Sequence, residues 1–297
     1  MVDNTRIVRF DWAAKRMLRD KANFDVLEGL VTVLLGEPVR IVEMLESESN
    51  QDEPVGKFNR VDIKAKNSKD EIILVEIQLI RELYYRMRLV CGVGNTITEH
   101  IHLGQKYDQV KKVYSISILY FDLGRGSDYL YHGTTTFRGV HTGDILEIST
   151  KGRNAIRMHR PSEIFPEYFI IRVNEFNDVA TTPLEEWLDY LKNDHIKENT
   201  TAPGLQAARK KLQYLKMDSK ERRAYDRHVD DVMVQNDVLD TARDEGRAEG
   251  RAEGERMKAL EIARQMKSMG LPLETICKAT GLPANQIDDA SIVTTRT

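Results

Sequence analysis

The sequence predicts an α/β fold in which a mixed central sheet is flanked by helices and followed by an α-helical C-terminal extension. Three observations point that way. The stretch from Ile72 to Ile80 is rich in β-branched residues and apolar on both alternating faces, as a central strand covered on both sides must be. Around it, strand-like segments alternate with segments of helical period as far as Val173. From Pro183 onward the pattern is helical throughout.

The 297 residues, 41% apolar and 31% charged, suffice for one sizeable domain plus an appendage. They divide into a core at 1–180, a helical extension at 181–240, a repeat segment at 241–256 and a small helical module at 257–297. Two cysteines, Cys91 and Cys277, are present and neither has ligand-like neighbours. With no run of about 18 apolar residues, the expectation is a cytoplasmic protein with no disulfide framework and no membrane span. Its 44 basic and 47 acidic residues leave a net charge of −3, so any nucleic-acid surface has to be a local patch.

The first forty residues read as two short helices. Asp11 caps the first, and the second runs from Phe24 to Leu35, closed by Gly36 and Pro38. Phe24, Leu27, Val31, Leu34 and Leu35 form an apolar stripe at about 100° per residue, and Glu28 falls inside it. Its carboxylate either points toward the core or snorkels from the stripe's edge. Val39 to Glu48 reads as the first strand, and Ser49 to Gly56 as a loop.

The next two strands carry acids where strands normally carry packing residues. In the first, from Lys57 to Lys66, Val61, Ile63 and Ala65 share one side, while Arg60, Asp62, Lys64 and Lys66 share the other. In the second, Ile73, Val75, Ile77 and Leu79 form one apolar face, and Glu76 and Gln78 project together from the other. A carboxylate inside an otherwise apolar strand is costly unless a cation or hydrogen-bond donors satisfy it. Between the strands lies a polar turn, Asn67-Ser68-Lys69-Asp70. An odd loop centred on Lys69 sets Asp62 opposite Glu76 at about 5 Å between Cβ atoms. A two-residue loop sends them to opposite faces. Two acids at that separation repel, and a hard divalent cation such as Mg²⁺ relieves the repulsion. A cation site therefore requires the odd loop.

Arg81 to Leu103 has helical period, with Leu83, Met87, Val90, Val93 and Ile97 near one face, and Tyr84, Tyr85, Arg86 and Arg88 follow the acid-bearing strand directly. Lys111 to Phe121 is a strand, and Tyr129–Phe137, Ile145–Ser149 and Tyr168–Val173 extend the sheet. His100 and His102 are too close for the i, i+4 pairing of zinc sites, so no histidine is assigned chemistry. Further helices span Pro183–Asn193, Gly204–Met217 and Ser219–Asp240.

From Arg243 to Gly254 the chain repeats with a period of four, RDEG-RAEG-RAEG. That period stacks Arg243, Arg247 and Arg251 in one column and Glu245, Glu249 and Glu253 in another, which disfavours a lone helix, and each glycine costs about 1 kcal/mol more. The segment is a flexible linker, or a helix needing a partner of complementary charge. A second copy is the simplest such partner, so a homodimer is expected. Glu255 to Met269 reads as a helix, followed by two short helices around Thr280-Gly281 that resemble half of a helix-turn-helix without a basic recognition helix.

The order Asp62, a hairpin's length of chain, then Glu76-Ile77-Gln78 resembles the signature of the PD-(D/E)XK nuclease superfamily. The order helix, three strands, helix, strand is similar to its core. The branch that the chain resembles is the Rpn family of recombination-promoting nucleases and transposases, in which Gly- and Glu-rich tails also occur. Val61 stands where the superfamily's name has Pro, and Gln78 where it has Lys, although some restriction-type members also carry Gln there. The resemblance covers nearly the whole chain. It implies a restriction-endonuclease-like core and a metal-dependent DNA endonuclease acting in recombination, mobile-element activity or defence against foreign DNA. It implies Mg²⁺ or Mn²⁺ held by Asp62, Glu76 and the carbonyl of Ile77. Because some members contribute an acid from the helix before the sheet, Glu28 is the candidate third carboxylate. Asp62, Glu76 and Gln78 are then catalytic, with Gln78 positioning the attacking water, and Arg60, Lys64 and Arg86 are candidate DNA contacts. Two other readings stay open. The acids can be solvated on an edge hairpin, or a catalytically degenerate nuclease fold can serve as a binding or regulatory protein that oligomerises through its helical tail.

Overall fold

In the computed structural model, which describes residues 6–45, 62–100, 110–151, 156–159 and 163–289, a six-stranded mixed sheet is flanked by helices. The elements in chain order are α1 (Phe10–Arg16), α2 (Phe24–Leu35), β1 (Ile41–Met44), β2 (Ile63–Asn67), β3 (Ile72–Gln78), α3 (Tyr85–Glu99), β4 (Val113–Leu119), β5 (Leu130–Gly133), β6 (Ile148–Lys151), β7 (Ile156–His159) and β8 (Glu167–Arg172). There follow α4 (Pro183–Asn193), α5 (Leu205–Lys211), α6 (Ser219–Ser268), α7 (Leu273–Thr280) and α8 (Ala284–Asp289). The sheet runs β1-β2-β3-β4-β8-β5. Its first three strands form an antiparallel meander, β4 joins β3 in parallel through α3, β8 lies parallel to β4, and β5 closes the edge antiparallel. β6 and β7 pair with each other only, so the strand expected at Ile145–Ser149 does not extend the main sheet.

The β2–β3 turn sets the register. Asn67 Oδ1 accepts from the N–H groups of Lys69 and Glu71 at 3.0 and 2.9 Å, and Asp70 takes the left-handed conformation at φ 63°. The pairs Ile63↔Val75, Lys64↔Leu74, Ala65↔Ile73 and Lys66↔Ile72 are all centred on Lys69. This is the odd loop, and continuing the register by one residue sets Asp62 across from Glu76.

β3 is covered on both faces. Ile72, Ile73, Leu74, Val75 and Ile77 are buried, and the even-numbered face meets α3, where Ile72 and Leu74 pack with Val93 and Val113. Of the stripe expected on α3, Val93 is buried and Ile97 packs partly buried on the same cluster, but the rest of the stripe is turned outward. Tyr85, Val93 and Thr96 face inward, while Leu83, Met87 and Val90 are exposed.

α2 forms where expected and ends on Gly36 at φ 70°, a left-handed closure that glycine adopts without strain. Gly29 on its buried side has no room for a side chain, since a Cβ there would lie 2.3 Å from Gly204 Cα, and this close approach docks α2 beside α5. Asp11 does not cap α1. It lies in the first turn, fully buried, and accepts from Arg9 Nε at 3.0 Å.

α4 starts with a capping box, Thr182 and Glu185 exchanging bonds with each other's N–H, and Pro183 at the first helical position. Its Trp187 and Tyr190 meet Phe10 edge-on at 5.9 and 6.0 Å, and Tyr190 Oη donates to Val8 O at 2.7 Å. α4 and α5 thus pack into the first compact unit, Met1–Arg222.

The second unit is Arg223–Thr297. α6, 50 residues long, runs without a break through the RAEG repeat, so Arg243–Gly254 is helix and not linker. Residues 233–258 are exposed on every side. At its end, Ala263, Ile276, Leu282 and Ile287 close a small core with α7 and α8.

Candidate active site

Asp62 and Glu76 reach the same place by different routes. Asp62 precedes β2, and its Oδ2 accepts from the N–H of Ile77 at 2.7 Å, taking the position that a β2 carbonyl would fill were the ladder longer. Even-numbered β3 residues aim their main-chain groups at β4, as the bonds Ile72 N–H to Lys112 O and Tyr120 N–H to Gln78 O show. By alternation the N–H and carbonyl of Ile77 point toward β2 and Asp62. Glu76 stands in the middle of β3, its side chain only 14% exposed.

Arg88, one turn into α3, lies over this pair. Its guanidinium bonds Glu76 Oε1, donates to Gln78 Oε1 at 2.9 Å, and donates to Glu82 Oε1 at 3.0 Å. Gln78 Nε2 in turn donates to Ile80 O and Glu82 Oε1, both at 3.0 Å. The Tyr85 ring sits 5.4 Å from the guanidinium and is itself held edge-on by Phe121. On the far side, Lys15 Nζ is 3.9 Å from Asp62 Oδ1, and Arg19 donates to the Asp62 carbonyl at 2.9 Å.

Burial raises the Glu76 carboxyl to about 7; Arg88 opposes the rise, and the charges of Asp62 and Glu82 add to it. Burial also raises Asp62, against the Ile77 hydrogen bond and the charges of Lys15, Arg19 and Arg88. The two acids thus resist ionising together, which is the condition that a divalent cation relieves. Beside them, Arg88 Nε is buried and makes no hydrogen bond, and the buried Tyr85 hydroxyl lies within reach of both Glu76 and Ser117. Buried hydroxyls beside two crowded carboxylates fit a hydrated cation, since Mg²⁺ keeps several waters that need polar partners. Among the described residues, no group of three or more His, Cys, Asp or Glu side chains converges as a metal cage, so any such ion relies on two carboxylates, main chain and water.

The remaining expected site residues lie elsewhere. Glu28 is not with the pair: its Oε1 accepts from Ile41 N–H at 2.7 Å, and Ile41 pairs with Asn67, five residues along β2 from Asp62. That is roughly 16 Å at the rise of a strand, so Glu28 ties α2 to β1 and is no ligand of this site. Lys64 is only 8% exposed and ion-paired with Glu99 of α3, which withdraws it from DNA. Arg86 is exposed on the outer side of α3. Arg60 lies outside the described residues. Sequence reasoning misses Lys15, Arg19 and Glu82, for which the only signal is the i, i+4 spacing of Lys15 and Arg19.

A mixed sheet flanked by helices, with an acid at the end of one strand and another inside its neighbour, is a restriction-endonuclease-like fold. Residues 8–149 match the family model described as PD-(D/E)XK nuclease family transposase, and this part of the chain is similar to that family. No curated protein and no solved structure matches the chain.

Proposed function

We propose that the protein is a metal-dependent DNA endonuclease that hydrolyses phosphodiester bonds in recombination, mobile-element activity or defence. The observation that carries this reading is the register of the β2–β3 hairpin, which sets the partly buried Asp62 across from Glu76 beside the main chain of Ile77. The family implies a nuclease acting on DNA.

In this reading Asp62, Glu76 and the carbonyl of Ile77 hold Mg²⁺ or Mn²⁺. The bound ion would supply a Lewis acid for the phosphodiester and a water of lowered pKa. The chain's own residues do the rest. The Ile77 N–H fixes the Asp62 carboxylate, and α3 and β3 keep bulk water from Glu76. Gln78 offers an amide to orient a water, though its Nε2 first has to leave Ile80 and Glu82. The test is incubation with supercoiled plasmid and Mg²⁺ or Mn²⁺, with EDTA as control. Cleavage that persists in EDTA, or is absent with either metal, overturns the reading.

One observation favours the second reading, a degenerate nuclease fold used for binding: Glu76 is already satisfied by Arg88. DNA binding without cleavage in the same assay supports it. Under either reading we expect a homodimer through α6. A helix exposed on every side over residues 233–258, with glycine at every fourth position of the repeat, lacks the packing that normally stabilises helices.

A further inference from the structure

We propose that Arg88 is a catalytic residue of this site, supplying from α3 the positive charge that Gln78 does not carry on β3 and receiving the scissile phosphate of the DNA. The inference rests on the nuclease reading above and adds to it a residue and a role.

Three features of the geometry carry it. First, the guanidinium is bonded to both functional side chains of β3, Glu76 and Gln78, so its charge lies where the side chain at position 78 ends. Gln78 presents its oxygen to Arg88, whereas a lysine at that position would present a cation. The sheet and the helix thus share one positive charge between them. Second, Arg88 keeps a donor in reserve. Its Nε is buried without a partner, while its two terminal nitrogens hold Glu76, Gln78 and Glu82. With one N–H unspent, the guanidinium can take up a phosphate oxygen without abandoning Glu76 once the side chain tips toward the bound DNA. Third, the side chain is held in place from below by the Tyr85 ring and by three acceptors spread over β3 and the segment after it. A group so placed stabilises charge developing on the phosphate at little cost in reorganisation.

The alternative for the same arrangement is that Arg88 is a plug, a built-in cation that a metal has to displace from Glu76. A merely structural role, holding Glu76 in its rotamer, is the third possibility. The experiment separates them with Arg88→Ala, Arg88→Lys and the double variant Arg88→Ala/Gln78→Lys, which moves the charge back to the strand and keeps a cation beside Glu76. Three quantities are measured: plasmid cleavage with Mn²⁺, Mn²⁺ affinity by calorimetry, and duplex DNA affinity against salt concentration with Ca²⁺ in place of the active metal.

For Arg88→Ala we expect cleavage to fall about a hundredfold, the usual cost of removing one transition-state donor, with Mn²⁺ affinity kept or increased. The salt slope of DNA binding should drop by about one, because one phosphate is no longer neutralised. Arg88→Lys and the double variant should each recover at least part of both effects. Cleavage that is unchanged or rises in Arg88→Ala overturns the proposal in favour of a spectator or a plug. Loss of Mn²⁺ binding together with cleavage, unrelieved by Gln78→Lys, overturns it in favour of a structural role. If the wild type itself does not cleave, the nuclease reading fails, and the salt slope alone still decides whether Arg88 meets a phosphate: an unchanged slope overturns the proposal.

Discussion

The Asp62 carboxylate accepts the Ile77 N–H at 2.7 Å, so that a side chain takes the place of a main-chain acceptor where the β2–β3 ladder ends. This one bond links an acid that would hold a metal to the residue whose carbonyl would join it. It also separates two kinds of damage. Asp62→Asn keeps an acceptor for Ile77 and removes the charge, and we expect it to abolish cleavage with the thermal midpoint kept or raised. Asp62→Ala also leaves the N–H without its partner, costing about 1–3 kcal/mol. Thermal melts of both variants in EDTA check this; equal midpoints would show that the bond contributes nothing.

Glu76 makes the protein without metal sensitive to pH. Its folded pKa of about 7 lies above the ordinary 4.5, so its contribution to stability is fully present below about 4.5 and lost as pH rises through about 7. The thermal midpoint of the wild type should therefore fall relative to that of Glu76→Gln as pH is raised from about 5 to about 8 in EDTA. A difference that stays constant over that range would mean that burial has not raised the carboxyl. Asp194, raised to about 7 by burial despite Arg9, contributes with the same sign, and the comparison with Glu76→Gln cancels it.

The register of the hairpin depends on Asn67, whose Oδ1 receives two main-chain N–H groups. Asn67→Ala should cost about 1–2 kcal/mol, read by chemical denaturation. Deleting Lys69 leaves an even loop, which turns Asp62 to the face away from Glu76. Mn²⁺ affinity should then be lost while the fold persists, and a deletion variant that binds Mn²⁺ like the wild type would show that the pair is not the site.

The close packing of α2 on α5 gives a prediction independent of the site. A methyl on Gly29 meets backbone at 2.3 Å, with no flexible side chain to move aside. Gly29→Ala should lower stability by about 1–3 kcal/mol through overpacking. A midpoint equal to the wild type's would mean that the two segments sit farther apart.

For α6, sedimentation of the full chain beside a version ending at Asp240 measures its part in assembly. We expect the full chain to be dimeric at micromolar concentration and the shortened chain monomeric. Two monomers, or two equal dimers, rule out the helix as the interface.

Much of the local architecture was legible in the sequence because its causes are local. α2 ends at Gly36 because glycine tolerates the left-handed closure, and β3 reads as a central strand because both of its alternating faces are apolar. The placing of Asp62 opposite Glu76 was legible as a condition, the odd loop, and a turn of a few residues could meet it. Continuous α6 was not legible, since arginine and glutamate columns with a glycine every fourth residue disfavour a helix in isolation.

What only the tertiary structure decided is who partners whom across distance. Lys64 and Asp62 share a strand face, yet one is sealed against Glu99 and the other meets Ile77. Glu28 and Glu76 both interrupt apolar patterns, yet one ties α2 to β1 and the other sits under Arg88. Periodicity shows that such a side chain points inward. Which group it meets there depends on the rotation of α3 over the sheet, which is set by Tyr85, Val93 and Thr96 packing inward while Leu83, Met87 and Val90 stay in solvent. Both stripes have helical spacing, so the sequence alone carried either orientation, and the packing of the whole core chose the one that lays a cation against Glu76.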